Sequence, residues 1–377
     1  MPVAFFVVAV ALFDTDSSLR PLQERIVERI TAVVERGVYI LGPEVEAFER
    51  ELADYIGVRH AIGVANGTDA ITIGLRALGV KPGDEVVVPS FTFYASVEAI
   101  VTAGARPVFC DVDPDTRNVT PDTVRAVLTP STKAIVSVDL FGLPAPSPAL
   151  RELGVPVLED AAQAAGASLD GRRAGALGDV ATFSFYPSKN LACFGDGGAL
   201  TTDDDRIAEL ARALRFHGSR DKQTFQYVGY NSRLDEMQAA ILRVALPELD
   251  GWCEGRRRAA QAYTEAGIER FVTAPVEPAG AQAAWHLYVA AHPDADELIA
   301  GLRDHGVGAR AYYRTPVHRQ PPMSPYAPSD GSLPVTDELA RTNLALPMSP
   351  TLSVEQVDDV VSAVSSSVPA GPRRARA

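Results

Sequence analysis

Val180-Ala-Thr-Phe-Ser-Phe-Tyr-Pro-Ser-Lys-Asn190 is the stretch on which the reading of this chain turns. Thr182 and Ser184 alternate with Phe183 and Phe185, the two-residue period of a strand with one apolar face. The strand runs into a turn carrying Lys189, and Gly195-Asp-Gly-Gly198 leads into another β-rich run at 199–202. Upstream the pattern repeats. Strands are predicted over 61–65, 85–89, 107–112, 134–140 and 156–159, with helices over 68–78, 95–103 and 121–128 between them. This alternation predicts an α/β fold with a mostly parallel central sheet covered on both faces. Ligands of such sheets sit beyond the carboxyl ends of the strands.

The flanks read differently. Helical periodicity covers 19–36 and stops at Gly37, and a second helix is predicted over 43–56 behind Gly42-Pro43. Past Arg233, Leu234, Met237, Ile241 and Ala245 are expected on one helix face, and another helix is predicted near 252–266. Mixed segments follow at 286–290, 296–305, 309–313 and 354–364. The expected division is an N-terminal arm and helix (1–36), a large domain (37–246), a smaller C-terminal α/β domain (247–368) and a disordered basic tail (369–377).

The apolar start, Met1 to Phe13, lacks the basic region of a signal peptide and is too short to span a bilayer. A soluble strand or arm is expected there. The 377 residues carry a net charge of −13, which argues against a nucleic-acid partner. Cys110, Cys193 and Cys253 are widely spaced and form no CxxC pair. Neither disulfides nor a metal site is expected, and the chain reads as cytoplasmic.

Only four of the 35 basic residues are lysines: Lys81, Lys133, Lys189 and Lys222. Lys189 alone follows a core strand, where partial burial would make its amine nucleophilic; a solvated surface lysine is the competing reading. Asp160 ends the apolar run Val155-Pro-Val-Leu-Glu-Asp160. It is placed either to pair with a cationic ring nitrogen or to cap a helix. Asn66-Gly-Thr-Asp69 offers a helix N-terminus to a phosphate, although simple capping explains it as well. The rings of Phe91-Thr-Phe-Tyr94 either stack on a planar ligand or belong to the core. His217 and His318 are candidate substrate contacts, whereas His60, His286, His292 and His305 lack motif support. Asp203-Asp-Asp205 is read as a solvated turn and helix cap.

Taken in order, these strings resemble the DegT/DnrJ/EryC1/StrS aminotransferases. The resemblance extends through Gly37-Val-Tyr-Ile-Leu-Gly-Pro43, Leu158-Glu-Asp-Ala-Ala-Gln-Ala164, Gly229-Tyr-Asn-Ser-Arg-Leu-Asp-Glu236 and Tyr313-Arg-Thr-Pro-Val-His318. It implies a type I aminotransferase fold, pyridoxal 5′-phosphate (or its pyridoxamine form) as cofactor, and a homodimer with shared active sites. Lys189 would hold the cofactor as a Schiff base, Asp160 would face the pyridine nitrogen, and Gln163 the ring hydroxyl. Phe93 would stack on the ring, and Gly67, Thr68 and Ser184 would hold the phosphate, joined by Asn231 of the neighbouring subunit. Tyr313 joins the candidate substrate contacts. The implied reaction moves an amino group, from glutamate, to a nucleotide-linked keto-deoxysugar, at C3. A dehydratase or aromatizing synthase, or a silent regulatory homologue, are the alternatives. Asp139 stands where the family often has His, and Asn66 where it usually has Ser; both are expected to alter contacts near the cofactor or sugar.

Overall fold

The computed structural model describes residues 10–368. The expected tail and the first nine residues of the expected arm lie outside them. The strands are β1 His60–Val64, β2 Glu85–Pro89, β3 Arg106–Cys110, β4 Thr132–Val138, β5 Val157–Asp160, β6 Ser168–Leu169, β7 Arg172–Arg173, β8 Val180–Ser184, β9 Gly198–Thr202, β10 Ala281–Gln282, β11 Tyr288–Ala291 and β12 Asn343–Leu346. The α-helices are α1 Gln23–Arg36, α2 Pro43–Ile56, α3 Gly67–Ala77, α4 Ala95–Thr102, α5 Pro121–Arg125, α6 Ser147–Arg151, α7 Asp205–Leu214, α8 Glu236–Ala245, α9 Leu249–Glu265, α10 Ala295–Asp304, α11 Pro334–Thr342 and α12 Val354–Ser367.

Seven strands form one sheet in the order β1-β9-β8-β5-β4-β2-β3. Pairings from β8 across to β3 are parallel, and β9 runs against both of its neighbours. The strands β1, β2, β4, β5 and β8 therefore bring their carboxyl ends to the same side. Val86, Val87 and Val88 of β2 are all buried, as a strand covered on both faces requires. The mostly parallel α/β architecture thus follows the sequence pattern closely.

A second hydrophobic cluster gathers around β11 and β12, which pair antiparallel, together with α9, α10 and α12. Val10 joins this cluster and bridges to Val307. The segment 309–313, expected to be regular structure without a type assigned, forms neither helix nor strand: Arg310 makes a single isolated bridge, to Ala345. The partner of β11 is instead Asn343-Leu-Ala-Leu346, a run too short and too poor in β-branched residues to read as a strand. Met237 also departs from expectation. It is 38% exposed, while Leu234, Ile241 and Ala245 are buried. The covered side of α8 includes Glu236, Ala239 and Ala240, because both α1 and α2 pack against that helix.

That packing is fixed by charge as well as by apolar contact. Gly37 closes α1 at φ 71°, the left-handed geometry glycine adopts without strain. The buried carboxylate of Glu236 accepts hydrogen bonds from the amides of Gly42, Glu44 and Val45 at 2.9, 2.9 and 2.8 Å. These are donors that the first turn of α2 cannot satisfy internally, and a negative charge complements the helix dipole there. Glu44 in turn pairs with Arg29, Arg36 and Arg243. Removing this carboxylate leaves three buried amides without acceptors. E236A is expected to lower the unfolding free energy by about 3 kcal/mol, and E236Q, which keeps one acceptor oxygen, by less. Urea unfolding measures both; an E236A chain as stable as the wild type would show that this cap contributes nothing.

Candidate active site

The chemistry-bearing residues collect where the parallel strands end. Asp160 is the last residue of β5 and Ser184 the last of β8. Gly67 opens α3 just past β1, and Phe93 follows β2. Lys189 lies in the turn after β8, with its amide bonded to the Tyr186 carbonyl at 2.8 Å.

Asp160 is buried. Its Oδ2 accepts from the Ser96 hydroxyl at 2.7 Å, and its Oδ1 from the Ala162 amide at 3.2 Å. Burial pushes its pKa upward; the Ser96 and Ala162 donors and the charge of Lys189 oppose that shift. Burial also pushes the Lys189 ammonium down to about 8, against the pull of Asp160. Lys81, Lys133 and Lys222 are exposed. Lys189 alone among the lysines is thus desolvated, which makes its neutral amine easier to reach near neutrality, as a nucleophile or proton carrier requires.

Gln163 is held at both ends of its amide. Oε1 accepts from the Phe141 amide at 2.7 Å, and Nε2 donates to the Tyr313 hydroxyl at 3.1 Å. The Tyr313 ring lies 5.8 Å from that of Phe93, which is 53% exposed and so offers a free aromatic face. At the start of α3, Asn66 accepts from the Asp69 amide at 2.8 Å. The amides of Gly67 and Thr68 have no acceptor among the described residues. A Cβ on Gly67 would stand 2.8 Å from the Ser184 Cβ, and one on Gly198 would stand 2.5 Å from the Asn66 carbonyl carbon. Backbone therefore packs against the end of β8 with no room for side chains, leaving a cradle of free amides suited to a phosphate.

Other expected residues lie elsewhere. His217 and Asn231 are exposed, on two stretches joined by the Phe216–Asn231 bridge, and Asn231 bonds to Arg233. The Nδ1 of His318 lies 2.6 Å from the Ser90 hydroxyl and its Nε2 accepts from Arg319, so it pins its loop to the end of β2. Asp139 does not face the cofactor side. In the register of β4 on β5, Val138 pairs with Asp160 and Ser137 with Glu159. Asp139, one residue past Val138, shares the face of Glu159, opposite Asp160. Asn66 likewise acts as a helix cap. Sequence reasoning passed over Ser96, whose only signal is a hydroxyl in the first turn of the helix after the β2 aromatics. It also passed over Asn190 and His286, whose contacts come from distant segments.

A lysine that sheds its proton near neutrality, set against a carboxylate kept from water, suits an enzyme that binds an aldehyde cofactor, and the residues present fit pyridoxal phosphate. With this sheet, they define a type I pyridoxal-phosphate aminotransferase. A profile of the DegT/DnrJ/EryC1/StrS aminotransferase family matches residues 21–365, and the chain belongs to that family. It is 44% identical to a dTDP-3-amino-3,4,6-trideoxy-α-D-glucose transaminase of Streptomyces venezuelae, over 94% of this chain and 95% of that one. It is 43% identical to a pleiotropic regulatory protein of Geobacillus stearothermophilus, over 93% and 96%. The crystal structure of S. venezuelae DesV, solved with a reaction intermediate, superposes with a TM-score of 0.92 at 43% identity, covering 95% of this chain and 98% of that one.

Behind the site, burial raises the pKa values of both Asp139 and Glu159. Glu159 receives three amides, from Gly175, Leu177 and Gly178, at 2.6, 2.8 and 3.0 Å. Asp139 receives one, from Ala145 at 2.8 Å, its Oδ2 has no other donor among the described residues, and it faces the Glu159 carboxylate. The proton therefore resides on Asp139. A carboxyl that titrates higher in the folded chain than in the unfolded one stabilises fully only below its unfolded value of about 4, and the contribution fades as pH rises. D139N needs no proton, so its stability relative to wild type is expected to rise from about pH 5 to about pH 8. Urea unfolding at the two pH values measures this; a difference that stays constant contradicts a neutral Asp139.

Proposed function

We propose that this chain transfers an amino group, from glutamate, to C3 of a nucleotide-linked keto-deoxysugar. The desolvated amine of Lys189 beside Asp160 carries this reading. The dTDP-sugar transaminase that matches nearly the full length supports the substrate class. Bound pyridoxal phosphate supplies an aldehyde and an electron-accepting ring. Lys189 would hold that aldehyde through its ε-nitrogen. Its neutral amine then takes the proton from the donor α-carbon, and in the second half-reaction it gives a proton to the sugar carbon that receives nitrogen. Asp160, whose ionised form the Ser96 hydroxyl, the Ala162 amide and the charge of Lys189 favour against burial, would face the pyridine nitrogen and hold its proton. Gln163 and Phe93 would orient the ring, and Gly67, Thr68 and Ser184 would bind the phosphate.

In this reading the enzyme is a cytoplasmic homodimer, with 37–246 and 247–368 as its large and small domains. Tyr39, Ile40, Tyr186, Phe194 and Val228 are exposed apolar side chains of the kind a second subunit covers. Asn231, exposed in its own chain, would reach the phosphate of the neighbour, and His217 the neighbour's sugar. Tyr313 would border the sugar directly, while His318 acts from behind through Ser90. Among the described residues no helix is long and apolar enough to cross a membrane. The regulatory name of one relative does not redirect the reading, because the lysine, its carboxylate and the amide cradle are all intact here.

K189A is expected to lose the visible absorbance of the cofactor-loaded enzyme and to lower turnover by about 10,000-fold or more. Glutamate-dependent amination of a nucleotide-linked 3-keto-6-deoxyhexose, followed by mass spectrometry, tests the substrate. Full turnover by K189A would refute the role of the lysine, and amination confined to 4-keto sugars would refute C3.

A further inference from the structure

The turn that carries Lys189 is fastened from behind. Asn190, buried, donates from Nδ2 to the Ala284 carbonyl at 2.7 Å. That bond orients its amide, so Oδ1 faces the ring of His286, whose Nδ1 lies 3.3 Å away. An amide oxygen only accepts, so Nδ1 of His286 carries the hydrogen and Nε2 the lone pair. The segment 284–287 is itself fixed. Ala284 donates to the Gly142 carbonyl at 2.8 Å and Leu287 to the Phe141 carbonyl at 3.3 Å. Arg256 of α9 donates to the carbonyls of Trp285 and His286 at 3.0 and 3.4 Å. Phe141 also donates its amide to Gln163. One connected set of bonds thus runs from the lysine turn, through 284–287, to the glutamine that borders the ring site.

We propose that Asn190 and His286 act together as positioning residues for Lys189, clamping its turn to the 284–287 segment so that the amine stays clear of water. The inference rests on the reading of Lys189 given above. The charged and titratable groups around the clamp agree with it. His286 faces Lys189 and Arg256, both cations, and burial with these two charges holds the imidazole neutral. Lys189 faces Asp160, and Arg256 faces Asp14 and Cys253. A cavity of about 20 Å³, room for one water, lies behind the turn between Phe13, Ser188, Lys189, Asn190 and Arg256. A loosened turn would open that space and hydrate the amine.

The test reads the amine directly. The full-length chain, freed of cofactor, is acylated briefly across a pH series, and each lysine is quantified by mass spectrometry, with exposed Lys81, Lys133 and Lys222 as internal references. The wild-type midpoint for Lys189 is expected at about 8. H286F and N190A are expected to raise it by roughly one unit. H286Q retains an N–H for Asn190 Oδ1 and should restore the wild-type midpoint. In the loaded enzyme, kcat of H286F and N190A should fall by about 10-fold or more while KM changes by less than about 2-fold. Unmoved midpoints in H286F and N190A overturn the clamp, as does an H286Q midpoint raised as far as that of H286F. If H286F does not fold, N190A and H286Q decide the question. A wild-type midpoint matching the exposed lysines overturns the clamp and the reading of Lys189 together, whereas a failed clamp leaves the K189A result unchanged.

Discussion

An ammonium and a carboxylate held near each other out of bulk water impose the main constraint on this molecule. Each is costly to bury alone, and each is tolerable only because the other, and a few fixed donors, stand close by. Lys189 and Asp160 meet that condition because a parallel sheet sends the ends of β5 and β8, adjacent strands, to the same side. The sheet supplies a dry floor, while the first turn of α4 supplies Ser96 and the turn after β5 the Ala162 amide. Burial then acts in opposite senses on the two groups: it makes the amine easier to deprotonate and the acid harder.

The surrounding architecture serves to keep that floor rigid. The start of α3 approaches β8 and β9 so closely that only glycine fits at 67 and 198. The entry of α2 is locked by Glu236, and Glu44 gathers arginines from α1 and α8. Glu236 accepts from amides 191–194 residues away and Glu44 pairs with Arg243 across 199, so the early helices and the later ones become one body around the sheet.

The α/β pattern was legible in the sequence because its signals are local. Strand alternation, the valine run of β2 and the glycine-proline punctuation each depend on neighbours within a few residues. The lysine, the carboxylate, Gln163 and the Asn66–Thr68 cradle were visible for the same reason, since each lies at a strand end. What escaped was set by distant partners. Asn343–Leu346 is a strand only because β11 lies beside it. His286 looked unremarkable because its neighbours, Asn190 and Arg256, come from other parts of the chain. The substitution at Asp139 invited a reading at the cofactor, yet strand parity turns its side chain to the opposite face, a point that requires the register of β4 on β5.

The scarcity of lysine has a chemical consequence. Aldehydes condense readily with neutral amines and hardly at all with guanidinium groups, which keep their protons throughout the biological range. A chain whose cations are nearly all arginine presents an incoming carbonyl reagent with few competitors, and the three other lysines lie exposed, away from the strand ends that gather the site. Selectivity for one nitrogen among 35 basic side chains is therefore built partly into composition, before any pocket closes around the vitamin.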